Sequence, residues 1–178
     1  IKQKNNNIVA VAPFLQMKGM LSFNGQIQYT LINAIDPNAE QDVSIINDFM
    51  LDNKSLDLLK PGEFGMIIGS GIAKQLNAKI GDKITYIMPE ISVTPAGIFP
   101  RIKRFTVLGI FQAGAGELDN HFSMINIQDG ARLVRILPEQ TLGLRLKLTD
   151  LFQATPVVRS TLQNLPEYFY GSTWISSY

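Results

Sequence analysis

A chain of 178 residues, 46% hydrophobic and 17% charged, is long and apolar enough to bury one large core or two smaller ones. Its 16 basic and 15 acidic residues leave a net charge of +1, which argues against general nucleic-acid binding. With no cysteine there is no disulfide, thiolate nucleophile or cysteine-ligated metal, and no apolar run reaches the roughly 20 residues of a membrane helix.

The first predicted elements are strands. Residues 8–12 read as one, and the runs 19–23 and 26–32 flank Asn24-Gly25, the strongest short hairpin signal. Asp36-Pro37-Asn38 breaks the alternation. From Glu40 to Leu59 the spacing of Val43, Ile46, Phe49, Met50, Leu56 and Leu59 predicts short helices, interrupted at Asp52-Asn53-Lys54 and closed by Pro61-Gly62. Gly65-Met66-Ile67-Ile68-Gly69 is a buried-type strand feeding a helix around Ile72 to Leu76, and a turn at 79–82 leads into a strand over 83–88.

Between that strand and the next, over 104–111, lies Pro89-Glu90-Ile91-Ser92-Val93-Thr94-Pro95-Ala96-Gly97-Ile98-Phe99-Pro100-Arg101-Ile102-Lys103. The segment is too long for a tight hairpin. Its three prolines lack ladder donors, so it is expected to project rather than join a sheet. Exposed Val93, Ala96, Ile98 and Phe99, followed by the basic Arg101, Lys103 and Arg104, suit a docking device better than a connector. Proline lowers the cost of ordering, so a partly preformed hairpin is expected.

Beyond it, a strand over 122–126, a helix through Ala131 and Arg135, an alternating strand over 142–148, a helix through Ala154, Val158 and Leu162, and a last strand near Ser172-Thr173-Trp174-Ile175 give a β-α-β-α-β order. The class is α+β: a sandwich of one sheet with helices on one face, in which the N-terminal strands pair with the C-terminal half and residues 40–115 form an insertion.

No chemistry stands out. His121, the single histidine, lies beside Glu117 and Asp119, but there is no second histidine and no nucleophile elbow, so a structural loop histidine is the simpler reading. Gly69-Ser70-Gly71 lacks the third glycine of a dinucleotide fingerprint, Lys74 standing there, and more simply allows close packing. Gly114-Ala115-Gly116 is not followed by a helix pattern and reads as a connector, and Walker-type spacing is absent. Catalytic residues, cofactors and metals are therefore all assigned as none. The scattered carboxylates fit turns and helix starts, and Met17, Met20 and Met50 fit core filling.

Ala12-Pro13 with Gly19-Met20-Leu21, Ile35-Asp36-Pro37, Gly69-Ser70-Gly71-Ile72-Ala73 with Ile80-Gly81-Asp82, and 105–111 occur in the order found in the periplasmic domain of LolC/LolE-type permeases, which the chain resembles over essentially its whole length. The resemblance implies a MacB-like periplasmic domain: a Porter-like α/β sandwich at 1–39 and 116–178 and an inserted Sabre-like subdomain at 40–115, with a protruding Hook-like hairpin at 89–103. It implies a non-enzymatic periplasmic part of a Gram-negative inner-membrane protein, excised from between membrane helices, as the start at Ile1-Lys2-Gln3-Lys4 also suggests. Implied partners are the chaperone LolA, a LolD-type ATPase and a second permease subunit reached through the membrane region, and lipoprotein substrates, with no nucleic acid. Implied LolA contacts are Val93, Thr94, Pro95, Ala96, Gly97, Ile98, Phe99, Pro100, Arg101 and Lys103, the last at a basic position of the family's polar Pad. Ala96 replaces a larger apolar residue and Ile102 a polar one. LolC, LolE and a combined permease stay open, the Hook arguing against a pure LolE; a MacB-type mechanotransmitting efflux or secretion pump is the alternative.

Overall fold

The computed structural model describes residues 7–94, 97–137, 143–163, 165–166 and 170–173, and over 90–94 and 97–100 the backbone alone. Strand β1 (Ile8–Phe23) runs unbroken for 16 residues where two shorter strands were expected, and returns as β2 (Gln26–Ile35). Asn24 and Gly25 both take positive φ, the twist that joins right-handed strands through two residues. One strand suffices because β1 changes neighbours along its length. Its first half pairs with β7 (Gly143–Leu148), its second half with β2 on one edge, and residues 20–22 with β4 (Lys83–Thr94) on the other.

The remaining strands are β3 (Gly65–Gly69), β5 (Gly97–Phe111) and β6 (Phe122–Asn126). The order is β2-β6-β3-β5-β4-β1-β7, and because β2 also pairs with β1 the first six strands form a closed circuit with β7 appended. The pairs β2–β6 and β3–β5 are parallel and the others antiparallel. As expected, β1 and β2 pair with the C-terminal strands. Strands β3, β4 and β5 of the 40–115 run are nevertheless hydrogen-bonded into the same sheet as the flanking strands, through β3–β6 and β4–β1.

Asp36 does more than end β2. Its side chain accepts the Asn38 amide and caps helix α1 (Pro37–Val43), with Pro37 in the first turn where its missing N–H costs nothing. Three 3-10 turns follow, Ile46–Phe49, Leu51–Asn53 and Leu56–Leu58. They cover a small core of Ile35, Leu56, Leu59, Ile67, Phe111 and Met124. The larger core lies across the sheet, where α2 (Ser70–Leu76) and α4 (Ile127–Val134) pack on Leu15, Leu21, Ile32, Met66, Ile68, Tyr86 and Phe105. Helices on one face only is thus too simple, since every residue of β3 is buried. Each fully buried side chain of this kind contributes about 1.5–3 kcal/mol.

Two further expectations are corrected. Gly116 opens a short helix, α3 (Gly116–His121), whose first turn shows no apolar periodicity to betray it. After α5 (Ala154–Leu162) no strand forms at Ser172-Thr173, while Trp174 and Ile175 lie outside the described residues.

Candidate functional site

Strands β4 and β5 do not stop where a loop was expected to begin. Their ladder continues from Met88 opposite Arg101 to Ile91 opposite Pro100, Ser92 opposite Phe99, Val93 opposite Ile98 and Thr94 opposite Gly97. The segment is a long ribbon rather than an open loop, so the expectation that it would not join a sheet is corrected. Prolines are accommodated by position: Pro89, with Glu90, occupies the register shift between Met88 and Ile91, where two extra residues on β4 stand outside the ladder. Pro95 and Ala96 lie outside the described residues, as do the side chains over 90–100. β4 has β1 beside it only at 85–87 and β5 has β3 beside it only from Thr106, so beyond Met88 and Arg101 neither strand has a third strand as neighbour among the described residues.

The base of the ribbon is braced from below. The Tyr86 ring passes so close to Gly19 that any Cβ there would collide with it, and its hydroxyl donates to the Lys18 carbonyl at 2.9 Å. Its ring also meets Phe105 edge-on, and Phe105 meets Phe64 likewise. Arg101 donates to the carbonyl of Leu133 at 3.2 Å, tying β5 to the last turn of α4. Lys103 places its ammonium 3.3 Å from the centre of the Phe64 ring, a cation–π contact.

Phe64 is held in turn by Asp129. This fully buried carboxylate accepts the Gly62 amide at 2.7 Å and the Phe64 amide at 3.1 Å, and lies 3.5 Å from Arg132. Phe64 has a φ of 50°, a left-handed value uncommon outside glycine and asparagine, and the Asp129 bonds together with the Thr106 amide on its carbonyl hold it there.

A cleft of about 240 Å³ opens here, lined by Tyr86, Met88, Arg101, Ile102, Lys103, Arg132, Leu133 and Arg135. Of the expected contact residues, Arg101 and Lys103 share this cleft, while Arg104 is exposed opposite Thr85 and one residue out of phase with them, so the basic trio divides. Ile102 is 61% exposed at the rim. Sequence reading missed α4's share. Arg132 and Arg135 stand three apart, as on one helix face, but nothing in the sequence links that helix to a hairpin some 30 residues earlier.

The other candidates have structural work. The carboxylate of Asp119 accepts the Ala113 and Gly114 amides at 2.7 and 3.0 Å, so it is not directed at His121, whose ring meets Tyr29 edge-on. A Cβ on Gly69 or Gly71 would strike Asp119 or Asn120, which confirms close packing against α3 as the reason for both glycines. Among the described residues no three His, Asp or Glu side chains cluster as a metal site would need. Glu40 is 1% exposed and pairs with Arg145 of β7. Burial raises its pKa above the ordinary carboxylate value, an effect only partly opposed by the charge and hydrogen bond of Arg145.

Residues 1–161 match the model of the MacB-like periplasmic core domain. The chain is 40% identical over 173 residues to the lipoprotein-releasing system transmembrane protein LolC of Neisseria meningitidis serogroup B, covering 97% of this chain and 40% of that protein. It is 27% identical over 176 residues to the corresponding LolE of Haemophilus influenzae, covering 99% of this chain and 42% of that protein. The chain therefore spans about two fifths of the length of these relatives. Two solved structures share the fold: the extracellular domain of the ABC-type transporter YknZ, with a TM-score of 0.56 at 12% identity, covering 89% of this chain and 77% of that one, and the periplasmic region of MacB from Actinobacillus actinomycetemcomitans, at 0.55 and 11%, covering 92% and 80%. The match along residues 1–161, with the identity to LolC, makes this chain a member of the MacB-like periplasmic core domain family, in its LolC/LolE branch.

Proposed function

We propose that this is the periplasmic domain of a lipoprotein-releasing ABC permease and that its β4–β5 ribbon recruits a LolA-type chaperone, to which lipoproteins drawn from the inner membrane are passed. The observation carrying this reading is that the ladder runs out to Thr94 and Gly97 with no third strand beside it among the described residues. Chains rarely leave a long two-stranded ribbon uncovered, because its edges invite pairing, so the exposure needs a reason. Successive rungs of a ribbon belong to opposite faces, and Ile98 and Phe99 sit on successive rungs. A partner using both must surround the ribbon, as an acyl-binding cavity does. Burying one such residue contributes about 1.5–3 kcal/mol, enough for an anchor.

In this reading ATP hydrolysis belongs to a separate LolD-type subunit, a second permease subunit completes the membrane assembly, and the division into a Porter-like part at 1–39 and 116–178 and a Sabre-like part at 40–115 describes roles within one sheet. The register supplies a clean test. Replacing 92–99 by Asn-Gly joins Ile91 to Pro100 through a two-residue turn and keeps the base intact. Binding of the cognate LolA-type chaperone, measured by calorimetry, should be lost while the unfolding midpoint falls by no more than about 4 °C. Undiminished binding would sink the proposal.

A further inference from the structure

We propose that the docked protein partner adds an extended strand of its own to the open edge of β4, pairing with the backbone of Ile91 and Val93. This names how the ribbon is held and rests on the docking role proposed above.

Pro100 fixes the phase of the ribbon. It stands opposite Ile91 and has no N–H to give across the ladder, so this rung belongs to the non-hydrogen-bonded set and the nitrogen of Pro100 faces outward. Antiparallel rungs alternate between the two kinds. Ser92 and Phe99 therefore bond to each other, whereas the rung of Val93 and Ile98 turns its N–H and C=O groups outward, as Ile91 does. The two edges then differ. Along β4 both Ile91 and Val93 offer a donor and an acceptor, while along β5 Ile98 stands two residues from a proline that closes the edge to a further strand. Among the described residues no strand but β5 pairs with β4 beyond Ile87.

What meets this edge follows from its place. It lies on the same rungs as Ile98 and Phe99, and a partner that surrounds those rungs also closes over β4. Once water is shut out, two donors and two acceptors are costly to bury unless the partner answers them. They repeat at every second residue, about 7 Å apart, a period that an extended chain matches and a helix does not. The plainer reading is that water stays on the edge in the complex and the partner touches only the faces of the ribbon.

The Val93 amide is the group to remove. The α-hydroxy analogue of valine at position 93 replaces the N–H by an ester oxygen and leaves the side chain in place. The cognate LolA-type chaperone should bind that ester chain about three- to ten-fold more weakly, the range of one hydrogen bond, while the unfolding midpoint falls by no more than about 4 °C. Hydrogen exchange gives a second reading. In the free chain the Ile91 and Val93 amides should exchange as open edge groups do, and saturation with the chaperone should slow both by about ten-fold or more. Full affinity of the ester chain overturns the added strand, and so do exchange rates that the chaperone leaves unchanged. Protection of both amides before the chaperone is added overturns it too, since the edge would already be covered by this chain or by a second copy of it. The 92–99 replacement separates the two proposals: if it abolishes binding while the ester chain binds like the parent, docking by the ribbon stands and the added strand falls; if it leaves binding intact, the docking role itself falls.

Discussion

The closed sheet and the ribbon are made from the same two strands, and they differ in what surrounds them. Inside the circuit β4 and β5 lie between β1 and β3, with Ile84, Tyr86, Phe105 and Val107 fully or almost fully buried. Past Met88 and Arg101 the same strands pair, among the described residues, only with each other. Burial stabilises the first stretch, whereas the second holds its shape by cross-strand pairing and by proline, which removes freedom from the unfolded chain. If the ribbon docks as proposed, stability and docking are separable along one pair of strands.

The sharpest way to break that contrast is to damage each side and compare. Phe105→Ala removes a fully buried ring that touches Phe64 and Tyr86 and should cost about 3–5 kcal/mol in urea unfolding, while shortening the ribbon should cost about 1 kcal/mol or less. Comparable costs would mean that the ribbon belongs to the folding unit.

A smaller effect is expected at the joint. Asp129→Ala strands the Gly62 and Phe64 amides and should cost about 1–3 kcal/mol, and it should raise hydrogen exchange at both amides. If the loop at 62–64 kept its protection, the brace under Lys103 would have some other origin.

The smallest effect is far from the ribbon. Because burial raises the Glu40 pKa in the folded state, its contribution is fully present below the unfolded value of about 4.5 and declines as pH rises through the higher folded value. Glu40→Gln, which has no charge to bury, should therefore gain on the parent in unfolding midpoint between pH 4 and pH 7. A gain in the opposite direction would mean that Arg145 outweighs burial.

Much of this fold was legible in the sequence, and the failures have physical causes. Asn24-Gly25 identified a hairpin because few other dipeptides take two positive φ values, and Gly65 to Gly69 identified a buried strand by unbroken apolarity. The length of 89–103 was misread because three prolines argue against a strand; a register shift at Pro89-Glu90 absorbs one of them, and the ribbon beyond has no third strand among the described residues to require its donors. Closure of the circuit was invisible, since β1 must pair on both edges and a sequence pattern shows faces but not edges. The ribbon's apolar and basic residues were readable one by one, but the cleft depends on α4 meeting β5 through Arg101 and Leu133, a contact with no local signature.

The Pro89-Glu90 register shift has a consequence for how such a ribbon is aimed. A bulge adds twist and a bend at one point of a ladder, and here that point is the two residues Pro89 and Glu90. Direction and reach of the outer rungs are thus set by different parts of the chain: adding rungs beyond Ile91 and Pro100 lengthens the arm, whereas a residue gained or lost at 89–90 alters the twist with which it leaves the sheet.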